Sequence, residues 1–417
     1  MIAHRPTSSS FLFALCLLSA LSGLSAVSPS AFAEDWPCWR GPSHDGISAE
    51  KGWLDKWPRK GPPVAWKAAV GTGFSSVAVS KGRAYTMGNA DGKDTVWCFD
   101  AATGKKVWSH SYPAELGDNL FEGGPTSTPA VHDGRVCTLS RWGDVYCFDA
   151  ATGKVRWSKN VQKETGAPVP SWGFGGSPLA QDNLLLLNVG SAGMALDRDT
   201  GKLVWKSAKE EAGYSTPVPF RRGEARLALF SSGSAFTAVD VRTGKERWQI
   251  AWDTRYGVNA ADPIVSGDHV FLSSGYGKGA GLFRLGDGAP KEVWKKRTLR
   301  TQCNPAVLLG GHCYGIDGDT TGRPVLKCVE LKTGAVRWSE EGVGSGSLIA
   351  ADGKLIVLSD KGELLVARAS PKEFRPSARA QVLGGKCWTA PVLANGRIYC
   401  RNADGDLVCV DVRKTEN

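Results

Sequence analysis

The chain has 417 residues and 11 cysteines, yet it contains no CxxC pair and no two adjacent cysteines. Dithiol redox chemistry and a cysteine-rich metal framework therefore have no motif to rest on. Its six histidines include no HxH or HExxH spacing, which removes support for a zinc site, and no metal centre is expected. Long runs of Ala, Leu, Glu and Lys are few, so an α-rich domain is disfavoured. No polar tail of low complexity is present, because Gly, Trp and short apolar runs continue from about residue 60 to the end.

Charge is also limited. The formal net charge is +10, and +9 once Arg5 leaves with the leader described next. The basic residues are scattered singly. The densest cluster, "KKRTLR" at 295–300, reads as a solvated hairpin edge, and no nucleic-acid partner is expected.

What is present begins with an N-terminal leader. His4 and Arg5 precede "FLFALCLLSALSGL", and "AFA" at 31–33 supplies small residues for cleavage, the pattern of a secretory signal peptide. Residues 1–33 are read as that signal, with cleavage near Ala33 and export to the periplasm or the medium; a retained anchor is the alternative. The residue before Cys16 is Leu, not the small residue of a lipoprotein signal. No other segment is suited to span a membrane. Residues 34–60 form an N-terminal Trp-rich segment, and 61–417 the main domain.

That domain repeats itself. "WCFDAATGKKVW" (97–108) and "YCFDAATGKVRW" (146–157) recur as "MALDRDTGKLVW", "TAVDVRTGKERW" and "KCVELKTGAVRW". The closing tryptophans Trp108, Trp157, Trp205, Trp248, Trp294 and Trp338 follow Trp66 at intervals of 42 to 49 residues. Such periods mean a propeller or a solenoid. Upstream in each unit, "SKGRA", "HDGRV", "ADGKL" and "ANGRI" sit between apolar runs as hairpin turns. Blade two then reads as four strands, "STPAVH", "RVCTLS", "DVYCFD" and "KVRW", and four antiparallel strands per unit make a propeller blade.

From Trp66 to the C-terminus is about 351 residues, or eight units of about 44. The last unit lacks its fourth strand and "GPPVAWKAAV" (61–70) lacks the other three. The expected fold is all-β: an eight-bladed propeller whose N- and C-terminal strands complete one blade and close the ring.

The repeated Gly-Lys is a turn on this reading. Asp100, Asp149, Asp197 and Asp240 are placed to accept hydrogen bonds from the turn backbone, and Gly104, Gly153, Gly201, Gly244 and Gly334 to supply positive φ. A phosphate-binding loop would need glycine at Phe99 or Phe148. Each Trp is expected to pack between neighbouring blades. Cys98, Cys147, Cys328 and Cys409 share one repeat position, which reads as small buried thiols.

With "ALDxxTGKxxW" units around eight blades, the sequence resembles the PQQ-like β-propeller repeat family over residues 61–417. That family includes the quinoprotein alcohol dehydrogenases and the propeller component of the outer-membrane β-barrel assembly machinery. The enzyme branch implies a PQQ cofactor, a Ca²⁺ held by carboxylate and amide ligands, a catalytic Asp and a disulfide between adjacent cysteines. This chain lacks the Cys-Cys pair. "WQIAWDTRYGVNAADP" at 248–263 places Asp253 and Asp262, with Asn259, in the sort of loop that would hold catalytic groups.

The assembly branch implies a non-enzymatic platform that presents its propeller face to proteins. The loops leading into the innermost strands offer Trp172, Phe174, Tyr214, Arg255, Tyr256, Asn259, Arg300 and Trp388 as a binding face, because exposed aromatics beside Arg favour protein contact. The expected function is an exported, non-catalytic scaffold, monomeric and without cofactor, binding envelope or extracellular proteins. The alternative is a PQQ-dependent alcohol or sugar dehydrogenase that would need PQQ and Ca²⁺.

Overall fold

The computed structural model describes Met1 and residues 34–58, 60–320 and 322–414. The leader read in residues 1–33 lies, apart from Met1, outside the described residues.

Eight antiparallel sheets follow one another along the chain. Blades 1 to 7 span 78–113, 130–160, 179–206, 218–251, 264–296, 307–340 and 347–381, each with four consecutive strands. Blade 8 takes three strands from 392–411 and its outer strand, Val64–Ala69, from the other end of the chain. Val64–Ala69 pairs antiparallel with Asp406–Asp411, Trp66 opposite Cys409, so the ring closes as an eight-bladed propeller. The first strands of successive blades approach one another and line a central channel.

The hairpins form where left-handed backbone is available. Lys81, Asp133, Asp352 and Asn395 have φ of 48–55° and each precedes a glycine with φ of 68–72°, the paired positive φ of a type I′ turn. The outer turn is built differently. Asp149 Oδ1 accepts from Thr152 N (3.1 Å) and Thr152 Oγ1 (2.9 Å), while Gly153 at φ 72° reverses the chain. Asp100, Asp197 and Asp240 bond their Thr in the same way.

Gly153 has a second constraint: a Cβ there would lie 2.6 Å from the Trp108 ring of the preceding blade. Gly104, Gly201 and Gly244 meet Trp66, Trp157 and Trp205 alike. Each indole then donates to the next blade, as Trp108 Nε1 does to Ala150 O (3.0 Å) and Trp157 Nε1 to Arg198 O (2.9 Å). Tryptophan and glycine thus form one joint between blades, and the following Lys105, Lys154, Lys202 and Lys245 are exposed. Cys98, Cys147, Cys328 and Cys409 are buried free thiols. Each faces Tyr85, Cys137, Tyr314 or Tyr399 across the sheet.

Two features of the channel were not read from the sequence. The first is a belt of hydrogen bonds joining the residues that precede the inner strands. Ser76 N donates to Thr128 Oγ1 (3.1 Å), Thr128 N to Ser177 Oγ (2.8 Å), Ser177 N to Thr216 Oγ1 (3.0 Å) and Thr216 N to Asp262 Oδ1 (2.8 Å). The second is a plug made by residues 34–50. Trp36 bridges Val79, Pro37 O accepts from Val131 N (2.7 Å), and Ile47–Ser48 adds a parallel fifth strand inside blade 7. Asp35 accepts from Ser80 Oγ and Lys81 N at the hairpin end of the channel. Trp39 Nε1 reaches Asp262 Oδ2 (2.6 Å) at the other end, so the plug runs along the channel.

Candidate functional site: the axial mouth

The loops that lead into the inner strands surround one mouth of this channel. They enclose a cavity of about 300 Å³, with Trp39 of the plug in its wall beside the belt residues Ser177, Thr216 and Asp262. The large side chains of the walls are aromatic: Phe74, Phe121, Trp172, Tyr214, Tyr276 and Trp388. Phe74 stacks on Trp388 (centroids 5.7 Å apart) and tilts against Phe121 (5.7 Å). Trp172 meets Tyr214 edge-on at 6.0 Å. Lys386 lies 4.4 Å from the Trp388 ring centre and forms an ion pair with Glu122, tying the blade 8 loop to the loop before blade 2.

Backbone strain gathers here. Outside the hairpin turns, the bulky residues held at positive φ are Leu120 (64°) and Tyr256 (66°) around the mouth, and Arg40 and His44 in the plug; Tyr276 (51°) takes the same conformation in the hairpin turn between the second and third strands of blade 5. A branched or aromatic side chain in this region costs free energy, and such costs persist where function holds them. Leu120 is 87% exposed and Tyr256 59%, both large apolar groups facing water.

Of the residues singled out from the sequence, Trp172, Tyr214, Trp388 and Asp262 come together in the cavity wall. Tyr256 and Arg255 stand beside it: the Arg255 guanidinium lies 4.9 Å from the Tyr256 ring centre, and Tyr256 meets the wall residue Tyr276 edge-on at 5.4 Å. Phe174 turns away and is buried between blades 2 and 3 with Leu139, Val161 and Leu187. Arg300 is held by Asp317, with Nε and Nη2 each donating at 2.8 Å. Asn259 is fully buried, donating to Ser232 O and Trp252 O and accepting from Ser274 Oγ. Asp253 is exposed outside the cavity. Sequence reasoning missed Trp39, Phe74, Phe121 and Tyr276.

Asp262 is the one carboxylate among the described residues of the wall. Its Oδ1 accepts from Thr216 N and its Oδ2 from Trp39 Nε1, with Arg40 Nε 4.0 Å away. Burial pushes its pKa up to about 6, against the opposing pull of Arg40, Trp39 and Thr216. Arg40 is itself bonded to Ala306 O (2.9 Å) and Asp45 O (2.6 Å), and His44 lies close enough to feel its charge. A carboxyl whose folded pKa exceeds its unfolded value adds stability that is full below about pH 4 and lost as pH rises through about 6. Relative to Asp262→Asn, the wild type should therefore lose about 1–3 kcal/mol between pH 4 and 6. Urea unfolding across that range measures it; parallel curves for the two proteins would refute it.

The residues of the mouth do not fit the calcium and quinone of the enzyme branch. Calcium takes six to eight oxygen ligands, whereas the wall offers one carboxylate with both oxygens already engaged. Among the described residues no three His, Cys, Asp or Glu side chains gather as a metal-holding group. PQQ is a tricarboxylate, and none of the described wall residues is cationic.

The comparisons agree on architecture. The model for the family described as outer membrane protein assembly factor BamB matches residues 92–340 and 322–416. No curated relative matches the sequence. Among solved structures, BamB from Moraxella catarrhalis is similar at 15% identity and a TM-score of 0.62, covering 84% of this chain and 99% of its own. Quinohemoprotein alcohol dehydrogenase ADHIIG from Pseudomonas putida HK5 is similar at 13% identity and 0.65, covering 92% and 81%. The corresponding enzyme from Comamonas testosteroni gives 14% and 0.64, with 92% and 81% covered. At these identities the solved structures share the fold. The family model spans most of the ring, and the chain belongs to the PQQ-like propeller family described as outer membrane protein assembly factor BamB.

Proposed function

We propose that the protein is a non-catalytic binding propeller, exported to the cell envelope, whose axial mouth receives apolar and aromatic groups of a ligand or partner protein. The observation that carries this reading is the commitment of the mouth's one carboxylate. Asp262 is buried and serves the structure, its Oδ2 holding the plug through Trp39 and its Oδ1 the belt through Thr216. What faces the cavity is a set of aromatic rings and the strained, exposed Leu120, which suits binding by burial of apolar surface. Envelope or extracellular proteins are the expected partners of a monomer. Among the described residues no helix is long and apolar enough to cross a membrane.

Reconstitution tests the reading against its enzymatic alternative. Purified protein mixed with PQQ and Ca²⁺ should show neither stoichiometric cofactor absorbance nor dye-linked alcohol oxidation. A photo-crosslinker at Tyr256 should instead capture an envelope protein, and Trp172→Ala with Trp388→Ala should abolish that capture. Cofactor binding with turnover would overturn the proposal.

A further inference from the structure

Four arginines of the described chain are buried: Arg40, Arg141, Arg198 and Arg401. Three are paired, although Arg198 leaves its Nε without a partner. Arg40 bonds Ala306 O and Asp45 O, Arg198 bonds Asp133 Oδ2 (3.0 Å) and His132, and Arg401 bonds five backbone or hydroxyl oxygens. Arg141 differs. It is 2% exposed, and its Nε and Nη1 are buried with no hydrogen-bond partner among the described residues. The usual rule is that a buried charge is paired, because an unpaired one costs several kcal/mol.

Its surroundings say what is missing. Arg141 lies in the loop between the second and third strands of blade 2, at the mouth end of the channel. Its guanidinium carbon is 4.9 Å from the Phe121 ring centre and 5.5 Å from that of Trp142. Tyr214, Asp94 and Asp118 act on its charge through space, though neither carboxylate forms an ion pair with it. The Arg141 carbonyl accepts from Phe174 N (3.0 Å), and Gly173, next to Trp172, lies so close that a Cβ would collide with Arg141 Cγ. The guanidinium therefore sits directly behind the wall made by Phe121, Trp172 and Tyr214.

The cover over it is a separate loop. Residues 115–124 close on themselves through Gly124 N to Leu116 O (2.7 Å), and Gly117 lies against the guanidinium where any Cβ would clash. Trp142 Nε1 donates to Glu115 O (2.8 Å) at its base, while the tip carries the exposed, left-handed Leu120. Across the mouth it is held by Phe121 and by the half-buried Glu122–Lys386 pair. Lifting this loop would uncover Arg141, because Gly117 of the loop lies directly on its guanidinium.

We propose that Arg141 is an anion anchor beneath the 115–124 loop, and that the mouth and anchor together take an amphipathic monocarboxylate, its apolar body in the aromatic cavity and its carboxylate on the guanidinium. This rests on the binding reading above and names the ligand class of the same site. A carboxylate matches the planar fork of the guanidinium with two parallel hydrogen bonds. A phosphate dianion would meet one cation with Asp94 and Asp118 close by, which disfavours it.

Isothermal titration of the purified protein tests this with 2-naphthoate, the uncharged 2-naphthalenemethanol and inorganic phosphate. Naphthoate should bind one to one, about 10- to 100-fold tighter than the alcohol, as a charge-assisted hydrogen-bonded pair allows; phosphate should not bind. Arg141→Met should remove the preference for naphthoate, bringing its affinity down to that of the alcohol, and should raise the melting temperature, since it replaces an unpaired buried charge by an apolar side chain. Equal affinity of the wild type for naphthoate and alcohol would overturn the anchor while leaving the binding reading intact, and that comparison stands even if the variant fails to fold. Unaltered naphthoate binding in Arg141→Met, or phosphate binding as tight as naphthoate, would overturn it too.

Discussion

Deletion of residues 34–70 is expected to leave no cooperatively folded monomer. The deleted segment supplies two things at once. Val64–Ala69 is the outer strand of blade 8, and its Trp66 donates to Ala101 O (3.1 Å) while its ring lies under Gly104, so it forms the joint between blades 8 and 1. Residues 34–57 bring the plug, with Trp36 and Trp53 buried and Leu54 N bonded to Val412 O (2.6 Å). Removing a buried tryptophan costs about 3–5 kcal/mol. Three of them approach or exceed the roughly 5–15 kcal/mol that holds a domain together. The open ring would also expose the edge of Asp406–Asp411 to pairing with other chains. Circular dichroism melting and gel filtration read both effects. Deleting residues 34–57 alone should keep the ring closed and give a folded protein of lower melting temperature. A melting temperature for the longer deletion equal to that of the full chain would show that closure is not made here.

The ring was legible in the sequence because each blade repeats a demand that few residues meet. The outer turn needs an acceptor at Asp100 or Asp149, a left-handed residue at Gly104 or Gly153, and no Cβ under the preceding blade's Trp. Those demands wrote the period into the chain, and the period gave the number of blades and the shared blade. The plug left no such trace. Its contacts join Trp39 to Asp262 and Glu50 to Gly396, far apart in sequence, and nothing local in "DWPCWRGPSHDGIS" marks them.

The belt did leave a mark that went unread. Thr128, Ser177, Thr216, Asp262 and Asn304 each precede a proline at the start of an inner strand. Seen as one series, Asp262 is the carboxylate among hydroxyls and an amide, which is why it catches the plug. The mouth was half legible for a different reason. A loop such as "SWGFGG" shows that rings are present but not which one turns inward. Trp172 faces the cavity, whereas Phe174 packs against Gly143 and Val161 in the core.

Replacing Arg401 by methionine is expected to destabilise the protein by about 3–5 kcal/mol, the cost of removing one side of a buried polar cluster. Arg401 is 1% exposed in the second strand of blade 8, Arg397–Arg401. Its Nη1 donates to Met87 O (2.7 Å), Ser75 O (2.9 Å) and Thr86 Oγ1 (3.2 Å), its Nη2 to Gly71 O (3.0 Å) and its Nε to Asn402 O (3.4 Å). Burial pulls its pKa down to about 9, and the five acceptors keep it charged at neutral pH. Methionine fills a similar volume but leaves carbonyls of blade 1 buried without donors. Lysine offers three donors in place of five and should lie between the two in urea unfolding. The effect should reach the mouth as well. Ser75 and Gly71, which Arg401 holds, flank Phe74, and Phe74 stacks on Trp388 of the blade 8 loop, so both rings depend on the junction that Arg401 fixes. Binding of an aromatic ligand at the mouth should therefore weaken in Arg401→Met even at temperatures where the variant is folded. A variant as stable as the wild type, with the mouth's binding unchanged, would mean that Trp66 and the strand pairing close the ring without it.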